Sequence, residues 1–327
     1  MEKITIVADC REDFPSTTNT KHYNDHYSRK SIQDIQMAIQ KLGYLCEWMG
    51  GVKSLIQSLN GRYENTSTLY LNFSDGLMQK NRRMQAPLLL ELMGVAYTGS
   101  DPFSVGVVND KYFANKFLKE HNIRVPSSCL YHNLSNSKKI SYPVVVKPNN
   151  EGSSLGIFQN SICSNMQEVE QQAQILEQQN YIPLIEEYIP GYEITNFIIG
   201  NSSKILLNEV ILSEYNNNIY FDYFVFGQNE KAHGKRKQRV LTNENTLFSL
   251  NLVKEKSIFI FELLGLRDIA RLDYRITKSG EPILIEVNSL PVFSMTSEIG
   301  TICHYYNKTL CDMLNLLIET AKERLKL

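Results

Sequence analysis

The sequence predicts a mixed chain, with an α/β part at the front and α+β material behind it. Three observations lead there. The first hundred residues alternate short apolar strands with helix-spaced apolar positions. A β-branched run, Val144-Val145-Val146, marks a buried strand in the middle of the chain. Near the C-terminus, residues 269–287 read as two apolar strands joined by the turn formers Lys278-Ser279-Gly280.

The front part is justified element by element. Lys3 to Ala8 is a short apolar strand. Ile32, Ile35, Ile39 and Leu42 recur at helical spacing, and Gly43 follows as a stop. Tyr44 to Met49 reads as a strand, Val52 to Leu59 as a helix and Leu69 to Phe73 as a third strand. Met84 to Met93 is a helix leading into an extended piece, Val95 to Tyr97. This βαβα rhythm implies a small parallel sheet with helices on its faces. Ligands then sit beyond the carboxyl ends of the strands, at Asp9-Cys10-Arg11 and at residues 72–76.

Residues 98–109 are rich in turn formers and read as a connection between domains. Asp110 to Glu120 is helical, Tyr142 to Lys147 a strand and 149–156 a small polar loop. Asn165 starts a helix that runs to Gln179, with Glu168 three residues on, and Pro183 to Glu187 is a strand. Tyr192 to Ile199 and Lys204 to Ile211 pair about Gly200-Asn201. Residues 213–242 show no clear period and are long enough to be a lid or disordered. Thr246 to Leu264 is helical, 292–302 a loop, and Tyr305 to Leu325 one closing helix.

Composition narrows the function. A hydrophobic share of 43% with 21% charged residues is that of an ordinary globular chain. A net charge of -1 gives no case for nucleic acid or an anionic membrane as partner. No run approaches the about 18 apolar residues that a membrane span needs. The opening MEKITIVADCRED carries charges early, unlike a signal peptide. The 6 cysteines form no CxxC pair, so neither zinc nor a disulfide framework is indicated, and a reducing cytoplasm is the simplest compartment. The histidines have no metal-ligand spacing.

Chemistry gathers in three stretches. Side chains alternate along a strand, so Arg271, Asp273 and Arg275 share one face of the first hairpin strand. By the same alternation Leu284, Glu286 and Asn288 share a face of the second. Closure around 278–281 puts Asp273 nearly opposite Glu286. Two facing acids repel, and a hard divalent cation held by oxygens relieves them. Taken alone, the same stretch also reads as a polar, solvent-facing hairpin. In SYPVVVKPNNEGSSLGI, a strand delivers Lys147 to the rim of a sheet ahead of a loop with Gly152, Ser153 and Ser154. Glycine lets backbone N–H groups approach phosphate oxygens, and the lysine can act as a point charge. It is not a Walker loop, and a plain glycine-serine turn is the alternative. In LIEEYIPGYEI, backbone groups from Glu187 to Ile189 could read a base edge, and Glu193 could accept from ribose.

A phosphate loop, an acidic hinge and an RxD…ExN hairpin in that order resemble the ATP-grasp superfamily. GVAYTGSDPFSVGVVNDK, VVVKPNNEGSSLG, EEYIPGYEIT and ARLDYRITKSGEPILIEVNSLP are similar, more closely, to D-alanine–D-alanine ligases. The resemblance implies an ATP-grasp fold in three parts: an N-terminal α/β domain over 1–100, a central subdomain over 101–186 and a catalytic subdomain over 187–327. It also implies an ATP-dependent carboxylate–amine ligase acting through an acylphosphate. The cofactors are ATP and Mg²⁺, with Mn²⁺ as an alternative. The partners are small carboxylate and amine substrates and a second copy in a homodimer.

The implied roles follow the motifs. Lys111 and Lys147 reach the nucleotide phosphates, and Gly152, Ser153 and Ser154 cover them. Glu186 meets the adenine amino group, Glu187 and Ile189 flank the base, and Glu193 binds the ribose. Asp273, Glu286 and Asn288 hold the metal. Arg271 offsets the charge of the tetrahedral transition state, with Lys147 and Ser153 as further catalytic groups. Ser297 holds the second substrate's carboxylate, and the N–H of Val292 stands at the oxyanion.

Three stretches depart from that family's pattern. ADCREDFPSTTNT replaces the opening glycine pair and the Glu-His-x-Val-Ser-like stretch that binds the first ammonium. Phe226 and Gly227 replace a lysine and a tyrosine or histidine. Val292 replaces a glycine after Pro291. Intact nucleotide machinery beside an altered amino-acid pocket points to another substrate pair. An authentic cell-wall D-alanine–D-alanine ligase and a non-catalytic ATP-binding regulator are the alternatives. The basic run Lys231 to Arg239 reads either as a solvated loop or as a charged lid that covers the triphosphate or selects an acidic substrate.

Overall fold

The computed structural model describes residues 3–14, 25–59, 68–77, 80–136, 141–202, 204–228, 230, 235–246 and 248–327. The front forms a parallel sheet of order β2-β1-β3-β4, from β1 (Lys3–Val7), β2 (Leu45–Gly50), β3 (Thr68–Asn72) and β4 (Ala96–Tyr97). Alternate residues of its strands enter two cores. Ile4, Ile6, Leu69 and Leu71 pack with α1 (Arg29–Lys41), while Val7 and Tyr70 pack with α2 (Val52–Ser58) and α3 (Gln85–Leu92). Burial on both faces of β1 and β3 explains why these two read as largely apolar runs, while β2 at the edge is partly exposed.

The stretch 98–109, read as a connection, holds a helix instead, α4 (Pro102–Asn109). Its turn formers are start signals: Asp101 caps the N–H of Ser104, and Pro102 takes the first helical position. Next come α5 (Lys111–Glu120) and an antiparallel sheet of order β5-β8-β6-β7. Its strands are β5 (Ser128–Leu130), β6 (Val144–Pro148), β7 (Ile162–Cys163) and β8 (Pro183–Glu187), with α6 (Met166–Gln178) packed on it.

The third sheet is antiparallel, of order β12-β10-β9-β13-β14, with β11 also on β9. It contains β9 (Gly191–Asn201), β10 (Lys204–Tyr215), β11 (Tyr220–Phe221), β12 (Arg236–Val240), β13 (Ile269–Ile276) and β14 (Pro282–Asn288). Two short strands here, β11 and β12, together with the end of β10, show that 213–242 is not one long irregular segment. Among the described residues β12, with sequence RKQRV, pairs on one side only, so its exposed positions are polar and its alternation is hard to see. The loop beyond β11 is held by stacked aromatics, with Phe221, Phe224 and Phe226 in mutual contact. β9 divides two cores: Phe197 and Ile199 face the first, while Ile194 and Ile198 face a core shared with α7 (Leu250–Leu263).

Two more corrections concern the end of the chain. Residues 292–302 are not all loop, because α8 (Glu298–Tyr306) starts there under a Ser297 cap. The single closing helix is two helices: Asn307 ends α8 in the left-handed region, and Thr309 opens α9 (Leu310–Leu325) with a capping box to Asp312. No helix among the described residues is long and apolar enough to cross a membrane.

Candidate active site

The hairpin β13–β14 has the expected register. Asp273 pairs with Glu286, and Arg271 with Asn288. One detail differs. The register shifts between Asp273 and Tyr274, leaving Ile285 as an extra residue in β14. Leu284 therefore turns into the core with Tyr274 and Val287, not onto the face of Glu286 and Asn288. A bulge of one residue reverses every side chain beyond it.

Asp273, Glu286 and Arg271 line one cavity with Lys111, Lys147, Gly152, Ser153, Ser154, Glu186, Glu187, Ile189 and Glu193. Twelve residues singled out from four separate stretches thus share one space. Lys147, at the exit of β6, lies 2.6 Å from the Glu186 carboxylate on β8, and both are buried. Asn115 of α5 donates to the other oxygen of Glu186 at 3.2 Å. Lys111 opens α5, with Nζ 3.2 Å from Glu286, and donates to the carbonyl of Glu151. Glu193 is held by Arg275 at 2.6 Å. Glu187 is exposed and accepts from the N–H of Ser127 at 3.2 Å.

The loop over this cavity is anchored at both ends. Asn149 accepts from the N–H of Tyr112 and donates to Asp110, tying the loop to the start of α5. Ser153 and Ser154 both have left-handed backbones, at φ 55 and 60. A Cβ on Gly152 would lie 2.8 Å from Nη1 of Arg83, so that position admits no side chain without displacing the arginine. Ser154 donates to the carbonyl of Phe226 at 2.6 Å, and Gln159 to that of Val225 at 2.5 Å. Val225 and Phe226 thereby close one wall of the cavity.

Electrostatics polarise the hairpin. Burial would raise the Glu286 carboxyl, but Lys111, then Lys147 and Arg271, hold it at about 2. Asp273 goes the other way: burial lifts it above the usual carboxylate range, Arg271 opposes, and Glu286 adds repulsion. Arg271 clamps Asp273 with two hydrogen bonds of 3.1 and 2.9 Å. Asn288 donates to the same acid at 3.2 Å. An Asp273 charge disfavoured by its surroundings, facing Glu286 across hard oxygen donors, fits a divalent cation.

Three predicted residues do not line this cavity: Asn288, which reaches it only through its hydrogen bond to Asp273, and Ser297 and Val292. Ser297 donates to the carbonyls of Val292 and Ser294, both at 2.8 Å, and lines a separate cavity beside β12. Val292 packs at the edge of the first core.

Sequence reading missed two groups. Glu298, buried at the start of α8, lies 3.5 Å from Arg271 and 3.7 Å from Arg236, and accepts from Gln238 at 3.1 Å. Burial opposes its charge, yet Arg271 and Arg236 hold it at about 2. The second group is a buried charge cluster at the strand ends of the parallel sheet. Arg82 binds Asp25 and, at 2.8 Å, Glu151, while Arg83 lies 3.0 Å from Asp75. His26 joins Asp25 at 3.0 Å and the carbonyl of Gly76 at 2.9 Å. The sequence places a ligand site at the strand ends 9–11 and 72–76, and the neighbouring pair Arg82-Arg83 is the signal in the sequence that points to this cluster. Asp25, His26 and Asp75 could offer three ligand atoms to a metal, but both aspartates already face arginines. Of the ADCREDFPSTTNT stretch, residues 15–20 lie outside the described residues, as do 231–234 of the basic run.

The family model described as D-ala D-ala ligase C-terminus matches residues 115–319, more than half of the chain. This chain belongs to the D-alanine–D-alanine ligase family. It is an ATP-dependent carboxylate–amine ligase of ATP-grasp fold. A D-alanine–D-alanine ligase of Aquifex aeolicus is 30% identical over 62% of this ligase and 66% of its own length. The crystal structure of the Bacillus anthracis D-alanine–D-alanine ligase complexed with ATP superposes with a TM-score of 0.72 at 19% identity, over 100% of the ligase and 99% of that chain. The VanG D-Ala:D-Ser ligase of Enterococcus faecalis gives 0.71 at 18% identity, over 98% and 99%. At such identities the two structures speak for the fold of the ligase.

Proposed function

We propose that this ligase activates a free carboxylate with ATP and joins it to an amine, with a substrate pair other than two D-alanines. The observation that carries the chemistry is the single cavity shared by Lys111, Lys147, the 152–154 loop, Arg271 and the Asp273–Glu286 pair. A carboxylate oxygen attacks the γ-phosphorus of ATP, the β–γ bridging bond breaks, and ADP leaves with the electron pair. The amine nitrogen then attacks the acyl carbon. The carbonyl oxygen gains charge, the C–O bond to phosphate breaks, and the nitrogen loses a proton.

Lys111 and Lys147 offset phosphate charge in the first step. Arg271 faces the charge of the second, an interaction class worth about 3–4 kcal/mol. Asp273, Glu286 and Asn288 would hold Mg²⁺, which neutralises phosphate oxygens when bound. The Val225–Phe226 wall acts as a lid that excludes water from the acylphosphate. A homodimer is the expected assembly, which light scattering would test.

The altered pocket is supported by what borders Gly152. Arg82 and Arg83 occupy the space between the parallel sheet and the 151–153 loop, where they pair with Asp25, Glu151 and Asp75. These three acids are thus engaged by guanidiniums of the chain itself, which leaves none of them to take a first substrate's ammonium. The rival, an authentic D-alanine–D-alanine ligase, makes a different forecast. ADP release measured with a panel of amino acids separates them: D-alanine alone should be a poor substrate. Turnover of D-alanine at ordinary enzymatic rates removes the altered-pocket reading, and no stimulation by any pair removes the ligase chemistry.

A further inference from the structure

Arg275 follows Arg271 and Asp273 along one face of β13, and strand register sets it beside Glu193 on β9. It lines the nucleotide cavity together with Glu193, Tyr188, Val225 and Phe226. Its side chain is buried, and its contacts run in two directions. Nη2 lies 2.6 Å from Oε2 of Glu193 and donates to the carbonyl of Phe224 at 2.9 Å. Nη1 donates to the carbonyl of Gly191, at the start of β9, at 3.4 Å.

Aromatic rings confine the guanidinium. Its carbon is 5.5 Å from the ring centroid of Phe221 and 5.9 Å from that of Tyr188. The Tyr188 hydroxyl accepts from the N–H of Phe224 at 2.7 Å. Both backbone groups of Phe224 are therefore held, the N–H by Tyr188 and the carbonyl by Arg275, one residue ahead of the Val225–Phe226 wall. Phe226, at the other end of that wall, is tied to the phosphate loop through Ser154. One nitrogen thus serves a carboxylate and a wall carbonyl at once. A shift of Glu193 draws it out of line with Phe224, and a hydrogen bond weakens steeply as its angle closes. A lysine would supply the charge without the planar fork.

We propose that Arg275 is a positioning residue that couples ribose recognition to the wall over the reacting centre. It aims Glu193 at a ribose hydroxyl and, through Phe224, sets the wall that keeps water from the acylphosphate. The proposal rests on the ligase chemistry above and on Glu193 as the group that meets the ribose.

The test uses the full chain with Mg²⁺ and ATP, 2′-deoxyATP or 3′-deoxyATP. Calorimetry gives the dissociation constant of each nucleotide. The nucleotide cleaved per amide formed gives the coupling, with a substrate pair that yields amide in the panel above. In the wild type at least one deoxy analogue is expected to bind roughly fivefold or more weakly and to raise the nucleotide cleaved per amide about twofold or more. Arg275→Met should do the same with ATP, and the missing hydroxyl should then add nothing further, because groups in one network are not additive. Arg275→Lys should recover affinity for ATP while coupling stays loose, and tight coupling in it counts against the fork. The analogue arm needs no variant, so it stands even where R275M folds poorly. Analogue cleavage coupled to amide as tightly as that of ATP, or losses from hydroxyl and arginine that combine independently, overturn the proposal and leave the ligase reading standing. No amide from the wild type with any pair overturns both.

Discussion

Nη1 of Arg271 lies 3.5 Å from Oε2 of Glu298, while its other donors clamp Asp273 at 2.9 and 3.1 Å. Arg271 is thus fixed from two sides, and only Asp273 also belongs to the proposed metal set. A cation that engages Asp273 would leave Glu298 as the firmer anchor. Glu298→Gln should therefore weaken the second step more than nucleotide binding. We expect roughly a tenfold to hundredfold fall in amide formation with more ADP released per amide, since the acylphosphate then reacts with water. Unchanged coupling of ADP to amide would contradict this role.

Arg271→Met should be more severe. Loss of one donor to a developing oxyanion costs on the order of 10²–10³ in rate. ATP should still bind with near-normal affinity in calorimetry, because the phosphate lysines are untouched.

Asp273→Asn and Glu286→Gln test the metal set without relying on turnover. In the wild type Mg²⁺ should strengthen ATP binding. In either variant the Mg²⁺ concentration needed should rise by roughly tenfold or more, read by calorimetry of nucleotide binding. An unchanged Mg²⁺ requirement in both would exclude these acids as ligands.

Arg82 is fully buried between Asp25 and Glu151. Arg82→Met leaves two buried carboxylates facing each other without their cation. A loss of about 3–5 kcal/mol in unfolding free energy is expected from denaturant titration.

Acid should unfold the protein through two acids near Arg271, Glu286 on β14 and Glu298 on α8. Glu286 and Glu298 sit at about 2 in the folded state against 4.5 unperturbed. A depressed folded pKa adds stability that is complete above about 4.5 and lost as pH falls through about 2. The melting temperature should drop across that window, and Glu298→Gln should flatten the drop. An identical acid limb in the variant would count against the assignment.

Much of the site is legible from neighbours along the chain. Alternation with the 278–280 turn predicts the Asp273–Glu286 pairing, and the Val144–Val146 run predicts that Lys147 stands at a sheet rim. Other parts are not. The Ile285 bulge, which sends Leu284 into the core, breaks the alternation without any glycine or proline to mark it. β12 hides because an edge strand can be polar at most positions. Phe226, a departure from the family pattern in sequence, becomes a cavity wall only where Ser154 holds its carbonyl.

Local order along this chain sets its strands, turns and helix caps, because periodicity and capping act between residues a few positions apart. Which charges meet is decided in three dimensions. Arg82 reaches Asp25 and Glu151 across 57 and 69 positions, and Glu298 reaches Arg271 because α8 packs against β12. A buried ion pair is stable only where both partners lose water together, and that pairing follows from how whole sheets and helices bury their apolar faces.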